Sequence, residues 1–175
     1  MKSKKAIFLD RDGVLNKDPG RYTYIVEEFE LLDVVPEALK ALKKNGYLLI
    51  VITNQAGISK GLYNIEQMKL CHQKLHSLTG SIIDAIYFSP YHPDQTSSLC
   101  RKPGSLMFEK AIAKFNIDPS ASWMIGDKGR DLVPAKKLSI KTILIGREEK
   151  SDFADIEVKN LKAAADLIIN MGNKL

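Results

Sequence analysis

The stretch AIFLDRDGVLN, from Ala6 to Asn16, joins a short apolar run to two aspartates and a glycine. Its apolar part is continuous rather than alternating, which is typical of a strand buried on both faces of a parallel sheet. Asp10 and Asp12 lie two positions apart, so in an extended chain both side chains point to the same side. Gly13 then permits a sharp turn. The stretch predicts a buried strand that delivers two carboxylates to one edge of a sheet.

Short apolar runs alternate with amphipathic segments along the rest of the chain. Further strands are predicted at Tyr47 to Ile52, Ile83 to Phe88, Ser122 to Ile125 and Lys141 to Ile145. Helices are predicted at Pro36 to Asn45, Ile65 to Leu78, Ser105 to Phe115, Asp131 to Leu138 and Leu161 to Met171. The tail from Glu148 to Leu175 predicts only a final strand and helix. This order predicts an α/β fold with a doubly wound, mostly parallel, Rossmann-like sheet that binds ligands where its strands end.

The composition fits one soluble globular domain. The 175 residues are 45% hydrophobic, and no repeat or linker divides them, so we expect a single domain over residues 1–175. The 26 basic and 21 acidic residues give a net charge of +5, without a dense basic block. This charge suits a small anionic ligand better than a nucleic acid.

The cysteine count and the apolar runs indicate the compartment. Cys71 and Cys100 are too few for a disulfide scaffold, which favours the cytoplasm. The apolar run from Ala6 to Leu9 is far too short for a signal peptide, and no stretch approaches the length of a membrane span. We therefore expect neither secretion nor a membrane partner.

Polar groups follow each of the first four predicted strands. They are DRDG at 10–13, TNQ at 53–55, RK at 101–102 and GDKGRD at 126–131. The chemistry that fits them is phosphoryl transfer to a carboxylate: Asp10 attacks phosphorus, while Asp12 protonates the leaving oxygen and later activates water. Mg²⁺ is expected because a phosphate beside several carboxylates needs a hard cation.

The remaining groups have roles in the same reaction. Asp10 and Asp127 are the natural side-chain ligands of Mg²⁺, with a backbone carbonyl near Asp12 as a third. Thr53 can donate its hydroxyl, and Asn54 a backbone amide, to the transferring oxygens. Lys102 supplies a positive charge that holds phosphate and nucleophile together.

Each of these residues also has an ordinary structural interpretation. A single aspartate after a strand is commonly a turn former or helix cap, Thr-Asn alone would be a turn, and Lys102 alone a solvated charge. Asp131 is the most ambiguous, because the helix dipole stabilises an acidic residue in a first turn whatever its function. The functional interpretation depends on all four strands ending in the groups that one reaction needs.

These motifs, as FLDRDG, ITN, the lysine of RKP and GDKGRD, resemble those of the haloacid dehalogenase (HAD) superfamily of phosphatases. The runs LDRDGVLN, TNQAGISKG, CRKPG and MIGDK are similar to the histidinol-phosphate phosphatase subgroup, and most closely to its heptose bisphosphate phosphatases. The resemblance implies a nucleophile at Asp10, an acid/base at Asp12, catalytic Thr53 and Lys102, and Mg²⁺ on Asp10, Asp12 (main chain) and Asp127. It also implies substrate contacts from Asp18, Gly20, Arg21, Tyr22, Asn54, Gln55, Ala56, Arg101 and Lys128.

The spacing of the motifs leaves no room for a cap domain. Between Asp10 and Thr53, and again between Thr53 and Lys102, the chain fits only one helix, one strand and their loops. The site should therefore be open, with substrate selected by loops near 18–24, 55–61 and 91–101.

The third of these loops departs from the pattern of its relatives, which hold a zinc there. The zinc-ligand positions of the family correspond to Ser89, Tyr91, Ser98 and Cys100. Of these four residues, only Cys100 is of a type that the family pattern uses to bind zinc. A shifted site using His92 and Cys100 would have two ligands, whereas a structural zinc site needs four. We expect no structural zinc, a loop held by its prolines and side-chain hydrogen bonds, and Arg101 aimed at the substrate.

The resemblance implies a Mg²⁺-dependent phosphatase for a heptose bisphosphate, and we expect a monomer that acts on a small phosphorylated sugar. The first alternative is histidinol phosphate as substrate, although the guanidinium of Arg101 suits a second anionic group better than an amine. A DNA 3′-phosphatase is a second alternative, disfavoured because the sequence has neither a kinase P-loop nor an aromatic and basic stripe. A silent phosphate-binding module is a third, disfavoured because every motif residue is present.

Overall fold

A computed structural model describes residues 3–146 and 150–172. Its centre is one sheet of six parallel strands in the order β3-β2-β1-β4-β5-β6. The strands are β1 (Ala6–Leu9), β2 (Leu48–Asn54), β3 (Ala85–Ser89), β4 (Trp123–Gly126), β5 (Lys141–Ile145) and β6 (Ile156–Val158). β1 and β4 lie side by side while their next connections run in opposite directions, which places the topological switch point between them.

Five helices connect or follow the strands. They are α1 (Val35–Lys44), α2 (Ile65–Leu78), α3 (Leu106–Phe115), α4 (Gly129–Lys137) and α5 (Leu161–Gly172). Pro36 lies in the first turn of α1, where its missing N–H is not needed. Asn64 and Gln67 form a reciprocal capping box that fixes the start of α2.

The helices cover both faces of the sheet. On one face, Leu39, Leu75 and Ile168 from α1, α2 and α5 pack against alternate residues of the central strands. On the other face, Phe108 and Leu132 from α3 and α4 form the second layer of core. Every residue of β1 is fully buried, because this central strand has a helix layer on each side. The sheet is therefore a rigid base for the loops at its carboxyl edge.

The predicted α/β, doubly wound, mostly parallel fold is confirmed, and each predicted strand and helix is present with bounds shifted by at most a few residues. β3 begins at Ala85 because the Asp84 carboxylate is already bound to the backbone N–H of Leu49. α4 begins at Gly129, two residues before the predicted start, with Asp131 already inside its first turn. Part of the predicted tail from Glu148 lies outside the described residues; the rest forms β6 and α5.

Nothing resembling an inserted domain separates β1 from β4 in the continuous range 3–146, as the motif spacing predicted. In the two described ranges no helix has both the length and the apolar character that crossing a bilayer requires.

Candidate active site

Asp10 lies directly beyond β1, at the switch point, and is 6% exposed. Its Oδ1 accepts a hydrogen bond from the backbone N–H of Arg11 at 2.7 Å and lies 2.9 Å from Lys102 Nζ. Burial, together with the charges of Asp131 and Asp127, raises the pKa of Asp10 to about 7 even though Lys102 opposes the shift. Because both contacts converge on Oδ1, Oδ2 is the oxygen available to attack an electrophile.

Lys102 connects the end of β1, strand β2 and the first turn of α4, although its side chain is only 1% exposed. Its Nζ lies 2.9 Å from Asp10 Oδ1, 2.8 Å from Asp131 Oδ1 and 2.7 Å from the carbonyl oxygen of Ile52. Burial disfavours its charge, but Asp10 and Asp131 outweigh burial and raise the pKa of Lys102. Its two carboxylate partners therefore favour the charged form of this buried ammonium.

Asn54 holds the backbone of Lys102 in place from the end of β2. Its side-chain Oδ1 accepts from the Lys102 N–H at 3.0 Å, and its Nδ2 donates to the Lys102 carbonyl at 3.1 Å. The Asn54 side chain thus fixes the backbone of Lys102. Asn54 also lines the open cleft described below.

A third carboxylate completes the centre. Oxygen atoms of Asp10, Asp127 and Asp131 all lie within 4.8 Å of one another. Burial and the charge of Asp131 raise the pKa of Asp127 to about 6 against the opposing charge of Lys128, and its Oδ1 is buried without a hydrogen-bond partner in the described part of the chain. Gly13, at φ +85°, is needed for this approach, because a Cβ there would lie 2.5 Å from Asp127 Oδ2.

These residues fit a divalent cation. Among the described residues, three carboxylates share this site with the buried ammonium of Lys102, and Oδ1 of Asp127 has no hydrogen-bond donor. Oxygen ligands of this kind suit Mg²⁺, which binds through one or two carboxylates together with water and phosphate oxygens.

Asp12 does not belong to that group of carboxylates, and its side chain is bound by other residues. Arg11, fully buried, donates to both of its carboxylate oxygens at 2.9 and 3.0 Å. Asn16 Nδ2 donates to Oδ1 at 2.9 Å and Gln55 Nε2 to Oδ2 at 3.2 Å. Burial favours the neutral acid, but Arg11 and these hydrogen bonds outweigh it and lower the pKa of Asp12. Asp12 is therefore a firmly held carboxylate whose side chain is 25% exposed.

The residues that follow β2 are more buried than their predicted substrate contacts suggest. Thr53 and Gln55 are each 1% exposed and Ala56 is 4% exposed. The Gln55 backbone N–H donates to the carbonyl of Ser89 at 2.7 Å, which ties the loop to the end of β3. Thr53 and Ala56 therefore lie beneath the surface of the site. Asn54 and Gln55 contribute to the lining of the cleft.

An open cleft of about 390 Å³ lies beside Asp12. Asp18, Gly20, Arg21, Tyr22, Thr23, Asn54, Gln55, Lys128 and Arg130 form the rest of its lining. Lys128 Nζ lies 3.4 Å from Asp18 Oδ2 across it, and Arg21 is paired with Glu28 at 2.7 Å. The structure thus brings the predicted substrate residues of the first loop together with Lys128, and adds the exposed Arg130.

Arg101 lies apart from that cleft, in an adjoining depression with Pro93 and Lys102. Its Nη1 donates to the carbonyl of Tyr91 at 3.1 Å, and partial burial with the charge of Arg130 lowers the pKa of Arg101. The positive charge of Arg130 therefore acts on Arg101, although the two side chains line different depressions.

The loop from Ser89 to Pro103 is tied down by hydrogen bonds. Ser59 Oγ accepts from the backbone N–H of His92 at 2.9 Å, and the Ser59 N–H donates to the carbonyl of Pro90 at 3.1 Å. Among the described residues, the one group of three metal-ligating side chains is the aspartate trio, so His92 and Cys100 belong to no such group. Side-chain hydrogen bonds from Ser59 and Arg101 thus hold this loop, and the predicted contact between Arg101 and a substrate stays a prediction.

Several site residues escaped the sequence analysis: Arg11, Asn16, Tyr63 and Arg130. The signal for Arg11 was present, since a basic residue between two acidic ones at the end of a buried strand needs a partner. Arg130 stands two residues after Lys128 and could have been assigned to the same cleft. Asp131, left ambiguous by its first-turn position, is fully buried against Lys102.

Comparisons with known proteins agree with this arrangement. A HAD-hydrolase-like family model matches residues 99–170. The D-glycero-beta-D-manno-heptose-1,7-bisphosphate 7-phosphatase of Haemophilus ducreyi is 40% identical over 95% of this chain and 93% of its own length. The D-glycero-D-manno-heptose-1,7-bisphosphate 7-phosphatase of Chlorobaculum tepidum is 37% identical over 86% of this chain and 84% of its own.

Solved structures give the same picture. The D,D-heptose 1,7-bisphosphate phosphatase of B. bronchiseptica, complexed with magnesium and phosphate, superposes with a TM-score of 0.85 at 25% identity, covering 95% of this chain and 99% of that one. The corresponding phosphatase of Burkholderia thailandensis has a TM-score of 0.67 at 27% identity, with 95% and 99% covered.

Proposed function

Because this chain belongs to the HAD family of hydrolases, among its heptose bisphosphate phosphatases, we propose that it removes the 7-phosphate of D-glycero-D-manno-heptose 1,7-bisphosphate. The observation that carries the reaction is the buried Asp10, held by Lys102 at 2.9 Å at the carboxyl edge of the sheet. A carboxylate fixed by one oxygen and open at the other is a nucleophile for phosphorus.

The reaction proceeds in two displacements. For the first displacement Asp12 must carry a proton, which its contacts in the free site disfavour. Asp10 Oδ2 attacks the phosphorus, the bond from phosphorus to the sugar oxygen breaks, and Asp12 passes that proton to the leaving oxygen. Asp12, again a carboxylate, then takes a proton from water as the water attacks the aspartyl phosphate. The phosphorus–Asp10 bond breaks, which releases inorganic phosphate and restores the free carboxylate.

The side chains of Asp10 and Asp127, with the main-chain carbonyl of Asp12, would hold Mg²⁺. The ion would supply positive charge between the carboxylates and the phosphate. Lys102 adds its positive charge. The Thr53 hydroxyl and the backbone N–H of Asn54 donate to the transferring oxygens. This part of catalysis is positioning and charge neutralisation.

The cleft supports a substrate with a second anionic group. Lys128 and Arg130 line it, and Arg101 stands close by, so the second phosphate of a bisphosphate would meet several cations. The ammonium group of histidinol phosphate would be repelled by the same charges. Asp18, Gly20 and Tyr22 then contact the sugar between the two phosphates.

We also propose that the protein acts as a monomer in the cytoplasm, with no nucleic-acid or membrane partner and no zinc. The scattered basic residues support the absence of a nucleic-acid partner, since they form no continuous stripe in the sequence. The bonds from Ser59 and Arg101 to the loop support the last part, because they hold it without a metal.

The test is phosphate release with Mg²⁺ from heptose 1,7-bisphosphate, heptose 7-phosphate and histidinol phosphate. We expect the bisphosphate to have the highest kcat/KM, activity to disappear without Mg²⁺, and Asp10→Asn to be inactive. A higher kcat/KM for histidinol phosphate would overturn the substrate assignment. An inactive parent protein across a wider phosphoester panel would overturn the enzymatic function itself.

A further inference from the structure

A continuous chain of hydrogen bonds leads from Tyr63 to the two reacting motifs. The Tyr63 hydroxyl lies 2.7 Å from Gln55 Oε1. On the other side of the amide, Gln55 Nε2 lies 2.8 Å from Thr53 Oγ1 and 3.2 Å from Asp12 Oδ2. The buried Gln55 therefore contacts both Asp12, the proposed acid/base, and the Thr53 hydroxyl, the proposed donor to a phosphate oxygen.

The direction of each hydrogen bond in this chain follows from chemistry. A carboxylate only accepts, so the NH₂ end of Gln55 must face Asp12 and the carbonyl end must face Tyr63. A carbonyl oxygen also only accepts, so the Tyr63 hydroxyl must be the donor. The Asp12 carboxylate thereby sets which end of the Gln55 amide points into the site, and the Tyr63 hydroxyl holds the other end by donating to Oε1.

Thr53 gains a defined orientation from the same contact. Its Oγ1 accepts from Gln55, and a hydroxyl has one hydrogen to give. That hydrogen is left to point away from Gln55, toward the oxygens of a phosphate beside Asp10. Gln55 thus prepares a donor for the reaction as well as holding the acid/base.

The ring of Tyr63 is itself held firmly. Tyr63 is 5% exposed and stacks on Tyr24, with ring centroids 4.9 Å apart and planes at 6°, while the ring of Tyr22 lies 6.0 Å away. Gly57 allows this packing, because a Cβ there would lie 2.1 Å from Tyr63 Cε1. A tyrosine clamped in this way can keep its hydroxyl on Gln55.

We propose that Gln55 and Tyr63 are positioning residues for catalysis: the Tyr63 hydroxyl fixes the Gln55 amide, which orients Asp12 and Thr53 for phosphoryl transfer. The role rests on the proposed phosphatase function but goes beyond it. It differs from the substrate contact that the family resemblance implied for Gln55, because the polar atoms of this side chain are engaged by protein groups.

Tyr63→Phe tests the hydroxyl and keeps the ring in its stack. We expect kcat to fall about tenfold, the scale of one buried hydrogen bond next to a charged group, while KM changes by less than about twofold. Tyr87→Phe on β3 is the matched control and should leave both constants unchanged. An unchanged kcat for Tyr63→Phe, or a rise in KM alone, would contradict the proposal.

The Gln55→Leu variant and the double variant separate positioning from general weakening. Gln55→Leu should lower kcat by about a hundredfold, since it removes contacts to two reacting groups. Adding Tyr63→Phe to Gln55→Leu should then cost nothing more, because the hydroxyl acts only through the glutamine. Equal losses of kcat in both backgrounds would mean that Tyr63 acts independently of Gln55, which would overturn the proposal.

An assay with a second substrate and a crystal structure of the variant distinguish a failure of this positioning role from a failure of the proposed function. If an aryl phosphate is hydrolysed and heptose bisphosphate is not, the sugar assignment fails and the positioning role is judged on aryl phosphate turnover. If neither is hydrolysed, the structure of Tyr63→Phe decides. A rotated Gln55 amide or a displaced Asp12 carboxylate supports the role, and unchanged side chains overturn it.

Discussion

Two regions of the molecule contain the same kinds of charge in opposite surroundings. The buried charge centre consists of Asp10, Lys102 and Asp131. The cleft rim consists of Asp18, Arg21, Lys128 and Arg130. The side chains of Lys102 and Asp131 are 1% and 0% exposed, whereas those of Lys128 and Asp18 are 36% and 31% exposed. The Lys102 contact to Asp131 is 2.8 Å, and the Lys128 contact to Asp18 is 3.4 Å.

The difference separates chemistry from recognition. A buried charge that loses its partner is costly, so the centre can exist only with its contacts complete. A half-exposed pair is screened by water and contributes little to folding, so its members can exchange partners for a ligand. The centre therefore fixes the reacting atoms, and the rim is free to respond to substrate.

Breaking the buried centre should have the largest effect. Lys102→Met leaves Asp10 and Asp131 facing each other without their cation. We expect the free energy of unfolding to fall by about 3–5 kcal/mol, and kcat to fall by about 10²–10³ in whatever protein remains folded. Urea unfolding and phosphate release measure the two effects. Wild-type stability in Lys102→Met would refute the difference drawn between the two regions.

His72 is a second kind of buried titratable group, one that is neutral in the folded protein. Burial, with the charge of Arg11 and of His76 and against that of Asp12, lowers the pKa of His72 to about 3. Its Nε2 is buried without a partner among the described residues. Between the unfolded pKa of 6.5 and the folded value, only the unfolded chain takes up this proton, so acid favours unfolding.

We therefore expect His72 to weaken the fold below pH 6.5 and to have no such effect above it. From pH 7 to pH 5 the parent should lose about 2 kcal/mol of unfolding free energy that a His72→Met variant keeps. Urea unfolding of both proteins at the two pH values isolates this difference from the carboxylates that they share. Parallel pH profiles would show that His72 is protonated in the folded protein.

Changes at the rim should affect recognition with little effect on folding. Lys128→Ala and Arg130→Ala should each raise KM for the bisphosphate by about tenfold, as expected for one lost contact to a phosphate. The unfolding free energy should stay within about 0.5 kcal/mol of the parent. Lys137→Ala, exposed on the same helix as Arg130, is the control. An equal rise in KM for a monophosphate ester would place these cations at the reacting phosphate instead.

The sequence carried the fold because its signals are local. Short continuous apolar runs gave strands, Pro36 and Asn64 marked helix starts, and the β-α alternation gave a parallel sheet. The chemistry followed from the same order, since residues just after parallel strands must meet at one edge. Bounds shifted where side chains reach across the chain, as Asp84 does at the start of β3.

What the sequence could not give is which side chain faces which. That Gln55 binds Asp12 while Asp127 joins Asp10 depends on loops from distant parts of the chain. So does the contact between Gln55 and Tyr63, eight positions apart across a loop with no regular period. The sequence by itself determined the fold and the set of reacting groups, because periodicity and strand ends are local. Only the tertiary structure decided their partners, because burial, charge and hydrogen-bond direction depend on neighbours that the packed fold brings together.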